Sequence, residues 1–172
     1  MKAICVIIHH EAGNNGFASV NEYHRQKWNF KSSRGFYAGY TWFLDKRRGW
    51  VQARAEDEEG AHTIGWNSKS VGVCLQGDFS KEVLSAETKA ILKTKIDEIR
   101  TRWNIPQSEV YGHKEKQVGK TTACPTSLMN FVREYRNGVV SVADSEIIEL
   151  KKQQISLLKK MVELLQKLLR LK

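Results

Sequence analysis

Two prolines and no short repeat in 172 residues exclude a collagen, a proline-rich linker and a solenoid. No run of eighteen apolar residues occurs, so no segment reads as a single membrane-spanning hydrophobic helix. The first apolar stretch, Ala3 to Ile8, is too short for a signal-peptide core and has no small-residue cleavage site after it. The chain is therefore expected to be made in the cytoplasm and to reach an extracellular target by another route. Cysteine is scarce and odd in number. Cys5, Cys74 and Cys124 form no disulfide framework and read as buried thiols, a metal ligand or a nucleophile.

Acidic residues are in deficit: 28 Lys and Arg face 19 Asp and Glu, for a net charge of +9. That admits nucleic acid, anionic membrane or an anionic cell-wall polymer as partners, and equally plain solubility. No nucleic-acid-binding motif is present, so no specific nucleic acid is expected. Composition breaks near Asn137-Gly138. Residues 144–172 lack aromatics, glycine, proline, cysteine and histidine and hold seven basic and four acidic groups. The front 143 residues carry 21 and 15, so they are basic on their own. The expected organisation is a domain over 1–138, a linker over 139–143 and a helix over 144–172.

Within the front portion, Ala3–His9 and Ser70–Leu75 read as buried strands, and Tyr40–Leu44 with Gly49–Arg54 as a strand pair around Asp45–Arg48. Ser19 is expected to cap a helix to Trp28, and Ser85 a longer one with Ile91, Leu92, Ile96, Ile99 and Trp103 on one face, ending before Pro106. Val110-Tyr111 is a short strand, and Thr126–Tyr135 a closing helix with Gly138 beyond it. Strands interleaved with helices predict an α/β domain: a central mixed sheet flanked by helices, followed by a long amphipathic C-terminal helix.

Five histidines are present: His9, His10, His24, His62 and His113. Successive strand residues face opposite ways, so His9 and His10 cannot serve one site. His9 ends an apolar strand, His113 follows another, and Cys124-Pro125 follows a short polar loop. Two neutral imidazoles and a thiolate would make a three-ligand zinc site with a fourth position open.

The ordered series VIIHHEAG, EYHRQKW, AGYTWFLDKRRG, VQAR, GAHTIGWNSKSVGVCLQGDFS, YGHKE and TACP resembles the zinc-dependent N-acetylmuramoyl-L-alanine amidases of type 2. These form the superfamily shared by phage lysozyme-type amidases and peptidoglycan-recognition proteins. The resemblance implies one catalytic zinc held by His9, His113 and Cys124, with Tyr40 and Thr122 assisting catalysis and His62, Trp66 and Asn67 lining a substrate cleft. Thr41 and Glu11 stand where the family commonly has a histidine and a small polar residue, and the loop from Lys114 to Thr121 is longer than in some relatives. The implied function is hydrolysis of the bond between N-acetylmuramic acid and L-alanine in bacterial peptidoglycan by a phage endolysin. A secreted bacterial lytic effector and a non-catalytic peptidoglycan-binding module are the alternatives.

For the tail, heptad spacing puts Ile147, Leu150, Gln154, Leu157, Met161, Leu164, Leu168 and Leu171 at a and d, with Leu158 and Leu165 at e. A helix over residues 144–172 would be roughly 43 Å long. So wide an apolar stripe must meet other copies, its own domain or a membrane. Self-association into a bundle of more than two strands is favoured. Lys152, Lys159, Lys160, Lys167 and Arg170 also suit contact with an anionic bilayer.

Overall fold

A computed structural model describes residues 1–119, 121–138 and 142–169, apart from the side chains of 142–149, 151, 152, 165 and 167–169. Five strands form one sheet in the order β3-β2-β4-β1-β5: β1 Cys5–His10, β2 Trp42–Asp45, β3 Gly49–Gln52, β4 Ser70–Leu75 and β5 Val110–Gly112. β1 lies between β4 and β5, and β4 between β1 and β2, all parallel; β3 adds antiparallel to β2 at the edge. Every residue of β1 and β4 is buried, as an interior parallel sheet covered on both faces requires.

Strand alternation divides the molecule into two cores. On one face Val6, Ile8, Val71 and Val73 meet α2 (Ala86–Trp103) through Leu92, Ile96 and Ile99, and α4 (Leu128–Arg136) through Leu128 and Val132. On the other, Phe17 and Val20 of α1 (Gly16–Trp28) pack with Phe43 and Cys74. The register pairs His9 with Cys74 and Cys74 with Phe43, so His9 belongs to the α1 face, at the carboxyl end of β1. His10 turns to the opposite face, where its Nδ1 accepts from the Phe79 N–H at 3.1 Å.

Ser85 caps α2 as expected, accepting from the Thr88 N–H at 3.1 Å. Ser19 does not cap α1. That helix begins three residues earlier, and its free N–H groups are met from outside: Asp45 Oδ2 takes Phe17 N–H at 2.9 Å and Glu11 Oε1 takes Asn15 N–H at 3.0 Å. Carboxylates from the residue after β1 and from the end of β2 thus complete the helix end and tie it to the sheet.

Arg54 is fully buried, its charge spent on backbone carbonyls. It donates to Ala38 O at 2.8 Å, Glu59 O at 3.1 Å and Phe30 O, with the Glu58 carboxylate 3.6 Å away. One guanidinium therefore pins three loop segments around the site, a use that its rigid five-donor fork allows.

The last helix, α5, runs Val142–Leu169 and lies beside α2. Of the expected linker, 139–141 fall outside the described residues and Val142 and Ala143 open the helix. Among the described residues no helix is long and apolar enough to cross a membrane.

Candidate metal and hydrolytic centre

Three segments converge at the carboxyl end of β1. His9 comes from the strand itself, His113 opens α3 (His113–Lys116) directly after β5, and Cys124 lies in the loop before α4. Their ligand-capable atoms all lie within 4.8 Å of one another. Gly112 is what lets the loop approach. A Cβ there would stand 2.1 Å from Met129 Sδ and 2.9 Å from Pro125 Cδ, so no other residue fits beneath Cys124-Pro125. The Lys114 N–H donates to Cys124 O at 2.8 Å and locks the two segments together.

Each imidazole has one nitrogen occupied from behind. His113 Nε2 is 2.7 Å from the Gln117 side-chain oxygen, an acceptor, so Nε2 carries the proton and Nδ1 is bare. His9 Nε2 is 3.0 Å from His62 Nδ1, which leaves His9 Nδ1 facing Cys124 Sγ at 3.9 Å. Burial holds His9 well below the usual histidine range and also lowers His113, so both imidazoles are neutral. Burial pushes the Cys124 thiol up to about 12. Alone it is a poor nucleophile at neutral pH, whereas a cation against Sγ would ionise it. Two neutral imidazoles and such a thiol are the donor set a zinc ion takes.

Tyr40 stands over the same centre, its ring 5.1 Å from His9. Burial, with Cys74 and Cys124 nearby, raises its phenol well above the usual value, so it remains a proton donor. It also lines a cavity of about 310 Å³ with Glu11, Asn15, Ser19, Val20, Tyr23 and His24. The loop carrying Tyr40 is fixed on both sides. Gly39 N–H donates to His24 Nδ1 at 2.8 Å, and Gly39 O accepts from Ala61 N–H at 2.9 Å. Gly39 is obligatory there, since a Cβ would lie 2.1 Å from Ala61 O.

The remaining expected site residues are spread around this centre. Thr122 Oγ1 accepts from the Cys124 N–H at 3.2 Å and so shapes the ligand loop. His62 is 8% exposed and sits beneath His9, not at an open cleft wall. Asn67 Oδ1 accepts from the N–H groups of both His62 and Thr63 at 2.8 Å, closing the turn that carries His62. Trp66 is half-buried between two ammonium groups, Lys116 Nζ at 4.0 Å and Lys69 Nζ at 4.3 Å from its ring. Sequence reasoning missed Gln117, Thr63, Ser70 and Arg54. For Gln117 a signal existed, an amide one helical turn after a candidate ligand histidine.

Comparison with known proteins points to one family. A family profile described as N-acetylmuramoyl-L-alanine amidase, Amidase_2, matches residues 1–127. Peptidoglycan-recognition protein SC2 of Drosophila melanogaster is 26% identical over 141 residues, covering 76% of this chain and 73% of its own. Among solved structures, the N-acetylmuramoyl-L-alanine amidase LysC from Clostridium intestinale has a TM-score of 0.66 at 21% identity, covering 81% of this chain and 88% of its own. A bumblebee PGRP-SA structure has a TM-score of 0.60 at 23% identity, covering 74% and 77%. At these identities the structural likeness speaks for the fold.

Proposed function

The chain belongs to the N-acetylmuramoyl-L-alanine amidase family, and from that premise we propose that it is a zinc-dependent peptidoglycan amidase acting as a phage endolysin. It hydrolyses the amide between the lactyl group of N-acetylmuramic acid and L-alanine. The carrying observation is the three-donor cluster of His9, His113 and Cys124 with the protonated Tyr40 phenol beside it.

Zinc bound by those three donors would supply the Lewis acidity that polarises an amide carbonyl and acidifies a water. The chain's own residues do the rest. His62 and Gln117 hold the outer nitrogens of the ligand imidazoles, so that both present a bare Nδ1. Thr122 fixes the backbone of Cys124. Tyr40 donates a hydrogen bond toward the carbonyl oxygen as negative charge collects there, a contact worth most in the transition state. Lys69, Lys116 and Trp66 form a cationic, aromatic rim suited to a sugar bearing an anionic peptide.

The tail joins copies of the chain through a helical bundle. Leu150, Ile155, Leu157, Leu158, Met161 and Leu164 are each more than half exposed, so the domain does not cover them. Multivalent display would raise avidity for a polymeric wall. Contact with an anionic bilayer is the competing use of the same face, because residues 150–172 hold seven basic groups and one acidic one.

Zinc content and hydrolysis of purified sacculi, measured together, test the amidase reading. His113→Ala and Cys124→Ser each lose both. A variant that keeps full, chelator-resistant activity overturns it.

A further inference from the structure

The ring partner of His9 is a histidine, where a carboxylate or carbonyl would be the ordinary choice. A carboxylate accepts from any donor. An imidazole accepts only on the nitrogen that lacks the proton, so His62 can hold His9 only in one tautomer.

The surroundings of His62 select that tautomer. Ser70 Oγ–H donates to the Trp66 carbonyl at 2.7 Å. A hydroxyl has one proton, so toward His62 Nε2, 3.4 Å away, Ser70 presents a lone pair. Facing that acceptor, Nε2 carries the proton and Nδ1 is bare. On the bare side, His9 Nε2 lies at 3.0 Å and Thr63 Oγ1 at 3.1 Å, both able to donate. Thr63 Oγ1 also lies 3.4 Å from His9 Nε2, closing a small triangle around the contact.

The backbone is cut to admit this ring. A Cβ at Gly72 would lie 2.7 Å from His62 Cγ and Cδ2, and one at Gly60 would lie 2.6 Å from Cδ2. Both are closer than real Cβ atoms approach. Asn67 clamps the His62 and Thr63 N–H groups from the other side of the turn. The two glycines and the asparagine give a ring with no freedom to swing away.

We infer that His62 is a positioning residue that, as its Nε2–H tautomer relayed through Ser70 to the Trp66 carbonyl, fixes the proton of His9 on Nε2 and thereby keeps His9 Nδ1 bare for a metal ion. The reverse tautomer of His62 would turn a proton toward His9 Nε2, move the His9 proton to Nδ1 and put it where the ligand lone pair belongs. Selection of the ligand atom is thus set by a ring 53 residues away in sequence, itself fixed by a serine hydroxyl and a loop carbonyl. The inference rests on the proposed function only in taking His9 as a metal ligand.

Two measurements on the full chain test it. Long-range proton–nitrogen NMR of 15N-histidine-labelled, zinc-loaded protein reads each imidazole directly. The expected result is His62 protonated at Nε2 with a bare Nδ1, and His9 protonated at Nε2. A proton on His62 Nδ1 overturns the inference. Zinc affinity by competition with a chelating dye is the second readout. His62→Leu is expected to weaken zinc about 10–100-fold, and His62→Asn, which restores an acceptor near the Nδ1 position, to recover most of it. Equal zinc affinity in wild type and His62→Leu overturns the inference, as does His62→Asn binding no better than a His62→Leu variant that melts like wild type. Wild-type protein that takes up no zinc is a different failure: it overturns the metal reading of the whole centre.

Discussion

Replacing Gly72 with alanine adds one methyl group in the middle of a buried strand, and its consequences can be followed to the proposed metal site. The backbone itself would welcome the change, since an internal strand glycine costs roughly 0.5–1 kcal/mol relative to alanine. The added Cβ, however, would lie 2.7 Å from two carbons of the His62 ring. Non-bonded carbons settle at about 3.5–4.0 Å, so the ring must recede by about 0.8 Å or more. Gly60 crowds the Cδ2–Nε2 edge of the same ring and leaves little room to retreat. The 3.0 Å contact between His9 and His62 would then open beyond hydrogen-bonding range. Overpacking of this kind costs about 1–3 kcal/mol, and the gain from losing a glycine offsets part of it, for a net destabilisation of about 0.5–2 kcal/mol. Zinc affinity should fall about tenfold or more with the lost outer contact. Urea unfolding of the apo protein gives the first quantity and dye competition the second. In a His62→Asn background, where the side chain is smaller, most of both penalties should vanish. Equal penalties in the two backgrounds would show that His62 is not what the new methyl group meets, and the reasoning would fail.

Three further outcomes follow from the same geometry. Tyr40→Phe should keep zinc and lower turnover on sacculi about 10²–10³-fold, because it removes one donor from the developing oxyanion; unchanged turnover would return Tyr40 to a packing role. Apo protein should lose stability as pH falls from about 6.5 to about 4, since His24, held down to about 4 by burial with Lys27 and Arg54 nearby, binds a proton when unfolded but not when folded. That loss amounts to about 3 kcal/mol from His24, on top of those from His9 and His62, which burial also holds low, and His24→Asn should reduce the slope of the pH profile of urea unfolding by that share; an unchanged slope contradicts the assignment. Light scattering should show an oligomer that Leu157→Lys with Leu164→Lys converts to monomer, whereas a wild-type monomer that permeabilises anionic vesicles would assign the exposed face of α5 to lipid.

Much of the architecture was legible because it rests on local pattern. The apolar runs that became β1 and β4, the Ser85 cap, the opposed faces of His9 and His10, and the α/β order all follow from periods of two and 3.6 and from capping chemistry. The trio His9, His113 and Cys124, which the structure brings together, was singled out through its motifs, although spacing alone was weak support for residues drawn from across more than a hundred positions. What stayed hidden has no periodic trace. The N-terminus of α1 is completed by carboxylates of Glu11 and Asp45, so Ser19 offered a misleading local signal. His62 reads as a cleft residue in a polar loop, and only the depth of that loop beneath β1 makes it the support of His9. Asn67 and Thr122 were read for their side-chain chemistry, and each also has a local task that sequence does not show, its oxygen accepting from backbone N–H groups and holding neighbours in place. Gly39, Gly60 and Gly72 carry the clearest overlooked signal, because each marks a point where another group needs the space of a missing Cβ.

The central claim is that the His9, His113 and Cys124 cluster, with zinc, cuts the bond between muramic acid and L-alanine. Mass spectrometry of soluble products from purified peptidoglycan, digested by zinc-loaded and by chelator-stripped protein, tests it most directly. Zinc-loaded protein should release intact peptides beginning with L-alanine and leave glycan strands with free lactyl carboxylates, and stripped protein should release neither until zinc is restored. Cleavage within the glycan or the peptide, or no zinc-dependent product at all, would contradict the account.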